Sequence, residues 1–591
     1  MIDRSSTPSD PTRRRFVGGI VAGSGLASLG IAASAQSSAD PGRPQVLSGT
    51  EFKLDIAAAS VNFTGAVRTA TLVNGQLPAP ILRWREGDTV TVAVTNRLPV
   101  ATSIHWHGML LPNAMDGVPG LGYDGIAPGE TFVYRIPVKQ SGTYWYHSHS
   151  RFQEQTGLYG PLVIEPRAGE RFPTDREYVV MLSDWTDENP EHLFDKLKKQ
   201  SGVYNFQRPT AMDFARDVST MGLSGALDKR RMWNRMRMNP TDFIDVTAHT
   251  YTYLVNGTTP HDNWTGLFRP GEKVRLRFIN GSANSIFDVR IPGLKMRVIS
   301  ADGQDVDPVT VDEFRISVAE TYDVMIEPRD DRAYALFAQS IGRTGYASGT
   351  LAPRAGMRAE LPSLDQPQWL SMMDVMGAMT SMEGMSAMNG MDHGAMKGME
   401  ASKGGTRPDS KNLTPGGTRA VRHAGTEYGP GVDMHVDMPR TNLDDPGINL
   451  RDNGRRVLTY ADLHTIGGPL DKRGAQREIE LHLTGHMERF IWSFDGQKFS
   501  EARPIHFRYG ERVRVVLVND TMMNHPIHLH GMFSELESPD EQFLVRKHTI
   551  NVQPAQRITF LATADPLGRW AFHCHMLYHM EAGMFREVLV S

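Results

Sequence analysis

The stretch "GDTVTVAVTN", Gly87 to Asn96, decides the fold, because the chain writes its pattern three times. The other copies are "GEKVRLRFIN", Gly271 to Asn280, and "GERVRVVLVN", Gly510 to Asn519. Each opens on a glycine and an acidic residue, alternates β-branched or aliphatic residues with others, and closes on asparagine. Period-two alternation between turn residues specifies a half-buried β-strand. A turn precedes each copy: "LVNG" ending at Gly75, "LVNG" ending at Gly257 and "SFDG" ending at Gly496. Short strands and Pro/Gly turns dominate throughout, so the units are expected to be β-sandwiches rather than α/β domains.

A chain of 591 residues is too long for one core and implies three or four domains. Hydrophobic residues at 40% and charged residues at 22% place them among ordinary globular domains. A net charge of −4 carries no electrostatic footprint for nucleic acid or an acidic membrane. At the N-terminus, "TRRRFVGG" (Thr12 to Gly19) sets twin arginines before a weakly apolar, Gly-rich run. "ASA" (Ala33 to Ala35) follows as a small-x-small cleavage signature. Residues 1–35 therefore read as a twin-arginine signal peptide, which predicts a periplasmic protein with no membrane span in its mature form.

The register after each closing asparagine carries the chemistry. Nine and eleven residues beyond Asn96 lie His105 and His107, in "HWHG"; the same offsets from Asn519 give His528 and His530, in "HPIHLHG". From Asn280 they give Val289 and Ile291. A later strand repeats the theme. "GTYWYHSH" places His147 and His149 five and seven residues after Gly142, and "GRWAFHCH" places His573 and His575 likewise after Gly568. The middle copy, "RAYALFAQS" (Arg332 to Ser340), has no histidine. The outer repeats thus carry equivalent sites and the middle one reads as a spacer without ligands. Residues i and i+2 of a strand share a face, so each His-x-His pair aims two imidazoles one way. Imidazole suits copper, zinc, iron and nickel.

Cys574, the sole cysteine, lies between His573 and His575 and must leave on the opposite face. It should ligate a different ion from its neighbours. His525 precedes the "HLH" pair, His579 follows the cysteine by five residues and Met584 by ten. Two histidines, one cysteine and a weak axial methionine form the ligand set of a blue-copper electron-transfer site. An electron arriving at Cys574 would reach the histidine cluster through adjacent covalent bonds.

"HWHG", "HSH", "HPIHLH" and "HCHMLYHMEAGM" resemble, in order, the four copper motifs of the multicopper oxidases. The resemblance implies three cupredoxin-like Greek-key β-sandwich domains, with a trinuclear cluster between the first and last. It implies that His525, Cys574, His579 and Met584 bind type 1 copper, and that His105 and His528 bind type 2. His107, His147, His149, His530, His573 and His575 would hold the type 3 pair, so that the cofactor is four copper ions. Asp116, in "MDGVPG", falls where the family has a carboxylate beside the cluster, although a turn aspartate before glycine reads the same way. Glu581 resembles the acid of laccase-like members. Some bacterial cuprous oxidases carry that acid one residue earlier, where this chain has Met580. Reduction of dioxygen to water consumes protons, so Asp116 and Glu581 are catalytic candidates as acids, and Cys574 is one as the link on the electron path.

Methionine stands out at 31 residues, and many fall in one window. Met373, Met376, Met379, Met382, Met385, Met388 and Met391 recur every third residue, followed by His393 in "MDHGAMKGM". A strict period of three drifts around a helix axis, and the interleaved glycines weaken a helix, which argues against a packed helical face. Thioethers select Cu(I), so these residues form a candidate cuprous-ion collector. "MWNRMRM" (Met232 to Met238) and "DMHVDM" (Asp433 to Met438) fit ordinary packing better than a copper path. The Met-rich window, the twin-arginine signal and "TGHMERFIWSFDG" (Thr484 to Gly496) resemble the periplasmic copper-resistance branch of the family.

The expected domain order is a first cupredoxin domain at 46–168, a second at 175–350, a Met-rich linker at 351–451 and a third at 475–591. The expected function is oxidation of Cu(I) to Cu(II) with dioxygen reduced to water, with other periplasmic copper-handling proteins as partners. A laccase-like phenol oxidase and a copper-sequestering protein are the competing readings. A complete set of cluster ligands argues against storage alone.

Overall fold

The computed structural model describes residues 44–377 and 421–591. The twin-arginine segment and the ladder from Met379 through His393 lie outside the described residues.

The three repeats become three central strands, Thr89–Asn96, Val274–Asn280 and Arg512–Asn519. Each pairs in parallel with an earlier strand and antiparallel with a later one. In the first sandwich the partners are Glu51–Val61 and Thr131–Pro137. In the second they are Arg176–Thr186 and Thr321–Ile326, and in the third Arg477–His486 and Arg557–Thr563. The described residues form six sheets, two for each sandwich, in cupredoxin-like arrangement. The upstream turns close tight hairpins with both central residues at positive φ: 51° and 73° at Asn74–Gly75, 49° and 72° at Asn256–Gly257, 51° and 69° at Asp495–Gly496. Asparagine, aspartate and glycine are the residues that such turns favour.

The closing asparagines explain why the register is kept. Asn96 donates its side-chain amide to the Val100 and Ile126 carbonyls, both at 2.8 Å, and accepts from the Leu98 amide. Asn280 does the same with Ser285, Ile316 and the Ser282 amide, and Asn519 with Met523, Val552 and the Thr521 amide. All three are fully buried. One side chain thus ties off the loop that feeds the next strand, so the residue nine positions on, His105, Val289 or His528, pairs with the same later strand in every copy. Buried apolar residues of all three sandwiches then merge into a single continuous core.

Two regions depart from an all-strand reading. The second sandwich carries an excursion with helices Pro190–Lys199 and Ala211–Arg235. Asn189 caps the first above Pro190, and Thr210 with Asp213 forms a capping box on the second. "MWNRMRM" ends the second helix and buries Met238, while Met434 of "DMHVDM" is also buried, so both motifs pack as expected. The start of the methionine ladder is helical, against expectation. Ser371 and Asp374 form a capping box on Met372–Met376, and Met372 and Met376 pack on the core while Met373 is exposed. Local capping chemistry overrides the drifting period for that single turn, which ends at Gly377 with φ 75°. Asp374 also pairs with Arg451 at 2.5 Å, and Arg451 pairs with the buried Asp445. Val436, Leu443 and Ile448 are buried, so both described flanks of the Met-rich window pack against the domains.

Candidate metal centres

The His-x-His pairs meet as the repeat register requires. His105–His107 lies antiparallel to Gly142–His147, with His105 opposite His147. In the third sandwich His525–Leu529 lies antiparallel to Gly568–Cys574, with His528 opposite His573. The same pairing on two sandwiches sets two four-histidine faces against each other. The His105 ring stacks on His530 with centroids 3.9 Å apart, and His107 stacks on His528 at 3.8 Å. Three groups of ligand atoms result: His105, His107 and His528; His107, His147 and His575; and His149, His530 and His573, each within 4.8 Å.

Six of the eight rings are held by one nitrogen, which leaves the other free to ligate. His105 donates Nδ1–H to the Asp116 carbonyl at 2.7 Å, and His573 donates to the Cys574 carbonyl at 2.9 Å. His528 donates to the His548 carbonyl at 2.5 Å. His530 Nδ1 lies 2.9 Å from Asp116 Oδ2, and His147 Nδ1 lies 2.8 Å from Glu154 Oε2. His107 is turned the other way: its Nε2 meets His548 Nδ1 at 3.1 Å, and its Nδ1 faces inward. His105 Nε2, His528 Nε2 and His107 Nδ1 are buried with no hydrogen-bond partner. Converging buried imidazole lone pairs without protein partners fit a borderline-soft metal such as copper. Burial first, and the neighbouring rings second, hold His107, His528, His530 and His575 well below the ordinary histidine pKa, so these rings are neutral and able to ligate at pH 7. The motif glycines have packing reasons. A Cβ at Gly108 would lie 2.4 Å from His548 Cδ2, and one at Gly117 would lie 1.8 Å from the Ile104 carbonyl oxygen.

Cys574 points away from this cluster. Its Sγ lies 3.6 Å from His525 Nδ1 and 3.8 Å from His579 Nδ1, and those nitrogens are 3.1 Å apart. Outer partners again fix both rings: the Thr521 hydroxyl lies 2.7 Å from His525 Nε2, and Asp245 Oδ2 lies 2.7 Å from His579 Nε2. Trp492 stacks on His579 at 4.1 Å. Burial pushes the Cys574 thiol well above its ordinary pKa, so a bound cation must supply the drive to form thiolate. Met584 is buried beside them, with its amide donating to the His579 carbonyl at 3.0 Å and its carbonyl accepting from the Cys574 amide at 3.1 Å.

Family models described as multicopper oxidase match residues 55–169, 176–355 and 472–591. The chain is a multicopper oxidase. A copper resistance protein A homolog of Pseudomonas syringae is 56% identical, covering 99% of this chain and 100% of the relative. Copper resistance protein A of Escherichia coli is 55% identical over 98% and 99%. Among solved structures, the chain is similar to Fet3p, described as a multicopper oxidase that functions in iron import, with TM-score 0.61 and 18% identity, covering 92% of this chain and 91% of that one. The laccase of Botrytis aclada matches with TM-score 0.60 and 20% identity over 93% and 88%. As a multicopper oxidase the chain is a copper-dependent oxidoreductase, and its histidine clusters suit that metal.

The predicted acids fall in different settings. Asp116 is buried and touches both His105 and His530. Glu581 sits half-buried in the helix Leu577–Ala582, where burial raises its pKa to about 7, and it has no hydrogen-bond partner among the described residues. Sequence reasoning missed Glu154, Thr521, Asp245 and His548. None belongs to a repeated motif, and Asp245 comes from the middle sandwich. That sandwich also supplies Asp302, whose Oδ2 accepts the His548 and Thr549 amides at 3.1 Å each. It is therefore more than a spacer, because its carboxylates brace residues of the third sandwich. Among the described residues no helix is long and apolar enough to cross a membrane.

Proposed function

We propose that this multicopper oxidase converts Cu(I) to Cu(II) in the periplasm, reached by the twin-arginine route, and so confers copper resistance. Four Cu(I) and four protons with one dioxygen yield four Cu(II) and two waters. Support comes from full-length identity above one half to relatives named copper resistance protein A. In this reading His525, Cys574, His579 and Met584 hold the type 1 ion. His105 and His528 hold type 2, and His107, His147, His149, His530, His573 and His575 hold the type 3 pair. Bound copper supplies one-electron redox chemistry at the first site and dioxygen reduction at the second.

The chain's own contribution is positioning, exclusion of water and proton supply. Asp245 and Thr521 keep both Nδ1 atoms turned toward Cys574. The peptide links of Cys574 to His573 and His575 join the two centres by covalent bonds, the shortest path a protein can build. Asp116 and Glu154 orient cluster rings, and burial raises the Glu154 pKa well above the ordinary value, which suits that carboxyl to hold a proton. A half-buried Glu581 near pKa 7 is the outer candidate on that route. The Met-rich window would collect Cu(I) by its thioethers.

A laccase-like role is the second reading, favoured by Laccase-2 of Botryotinia fuckeliana, 31% identical over 92% of this chain and 82% of that relative. The deciding experiment is anaerobic titration of the copper-loaded protein with Cu(I) and, separately, with a phenol, followed by oxygen uptake. Faster bleaching of the blue band by Cu(I), with matching oxygen consumption, supports the cuprous reading. Bleaching by the phenol alone overturns it.

A further inference from the structure

A second cluster of histidines and carboxylates lies where the segment after the Met-rich window packs on the third sandwich, apart from the two centres above. His423 and Glu427 lie beyond the Met-rich window, His482 lies on the strand Arg477–His486, and Asp520 directly follows the closing asparagine. One nitrogen or oxygen from each lies within 4.8 Å of the others. His423 Nδ1 is 2.7 Å from Glu427 Oε2 and 3.6 Å from Asp520 Oδ2. His482 Nδ1 is 2.7 Å from Asp520 Oδ2 and 3.4 Å from Glu427 Oε2. Ligands at about 2.0–2.1 Å from a tetrahedral ion sit roughly 3.3 Å apart, which these spacings bracket.

The surroundings hold the four groups in that pose. The Ala424 amide occupies Glu427 Oε1 at 2.9 Å, and the Val436 amide occupies Asp520 Oδ1 at 2.9 Å. Each carboxylate therefore has one oxygen fixed by backbone and the other turned inward. Both rings present Nδ1 to the centre and Nε2 to an outer carboxylate: His423 toward Asp437 Oδ1 at 3.4 Å, and His482 toward Glu480 Oε1 at 3.4 Å. His423 Nε2 is buried and lacks an aligned hydrogen bond. A carboxylate behind each ligating imidazole is the arrangement that orients histidine in metal sites. The four side chains are at most 4% exposed, while Asp437 at 77% marks the way in.

We propose that His423, Glu427, His482 and Asp520 bind a divalent transition-metal ion, Cu(II) or Zn(II), at a site separate from the oxidase coppers. Two imidazoles and two carboxylates suit such ions and disfavour Cu(I), which prefers sulfur. Without an ion the four groups make two histidine–carboxylate ion pairs. Burial opposes charge on His482, but Asp520 and Glu480 outweigh it and raise its pKa to about 10. Metal binding must displace those protons and strengthens as pH rises.

Zinc is the probe, because thioethers are poor ligands for it and the Met-rich window contributes little. Copper-loaded protein is incubated with Zn(II) and desalted, and total copper plus zinc is counted for wild type, His423→Gln and Glu427→Gln. The expected result is one more metal ion per chain in the wild type, with at least about tenfold weaker retention in each variant. The blue band, read on the same samples, reports intact folding and the oxidase centres independently of this site. Anomalous diffraction at the zinc edge of the wild type should show a peak between His423 and His482, and this decides the matter if a variant loses its blue colour. Equal metal counts in well-folded variants, or an empty map at these residues, would overturn the proposal and leave the quartet as paired charges.

Discussion

The middle and third sandwiches share a scaffold and differ in what occupies it. At equal distances from Asn280 and Asn519 stand Val289 and Ile291 in one, His528 and His530 in the other, all buried. Val289 faces Ala338 across the ladder where His528 faces His573. The apolar version shows that strand pairing, the asparagine tie and the sandwich core need no metal. The histidines are side chains placed on a fold that stands without them, and metal chemistry follows from which residue fills a fixed direction.

The largest expected effect tests the site that the middle sandwich lacks. Cys574→Ser should remove the intense blue band and reduce oxidase turnover to background, while the histidine cluster still takes up copper; a variant that stays blue would refute the thiolate assignment. Next, Asp116→Ala removes the carboxylate that holds His530. It should lower copper retention in the cluster about 10–100-fold, with the blue band preserved. Metal analysis beside the visible spectrum separates those two effects.

The converse change is Val289→His with Ile291→His in the middle sandwich. Two imidazoles would then be buried in place of apolar side chains, the first of them opposite Phe314 and Ala338. The expectation is a loss of about 2–5 kcal/mol in stability by chemical denaturation and no additional copper. A gain of bound copper would show that register alone suffices. The asparagine tie can be compared across copies. Asn280→Ala should cost about 2–4 kcal/mol through stranded backbone groups, leaving the blue spectrum untouched. Asn519→Ala should cost as much and also shift that spectrum, because the Thr521 amide it holds belongs to the residue bonded to His525. Identical spectra would mean the loop is fixed by other contacts.

The smallest effect concerns the Met-rich window. Deleting residues 378–399 spares Met372, Asp374 and Met376, which pack or pair with the fold. Steady-state kinetics should show weaker apparent affinity for Cu(I), through loss of a tethered effective concentration, with phenol oxidation unchanged or faster. Collapse of phenol turnover with intact Cu(I) turnover would favour the laccase reading.

What the sequence determined by itself is local and periodic. Alternation specified the strands, "LVNG" and "SFDG" specified the turns, and constant offsets from Asn96, Asn280 and Asn519 exposed the repeat and its silent copy. The opposed face of Cys574 also followed, because neighbours on a strand must diverge. The helix Ala211–Arg235 and the turn Met372–Met376 carried capping signals at Thr210 and Ser371, but the surrounding β pattern and the period of three obscured them. Only the tertiary structure decided which groups stand behind the clustered histidines. Asp245 reaches His579 across 334 residues of chain, and His548 reaches His107 across 441. His423 likewise meets Asp520, and Glu427 meets His482, only when a loop folds onto the third sandwich. A ligand motif repeats because a strand has a period, whereas an outer carboxylate needs only to be near in space, so no spacing in the sequence records it.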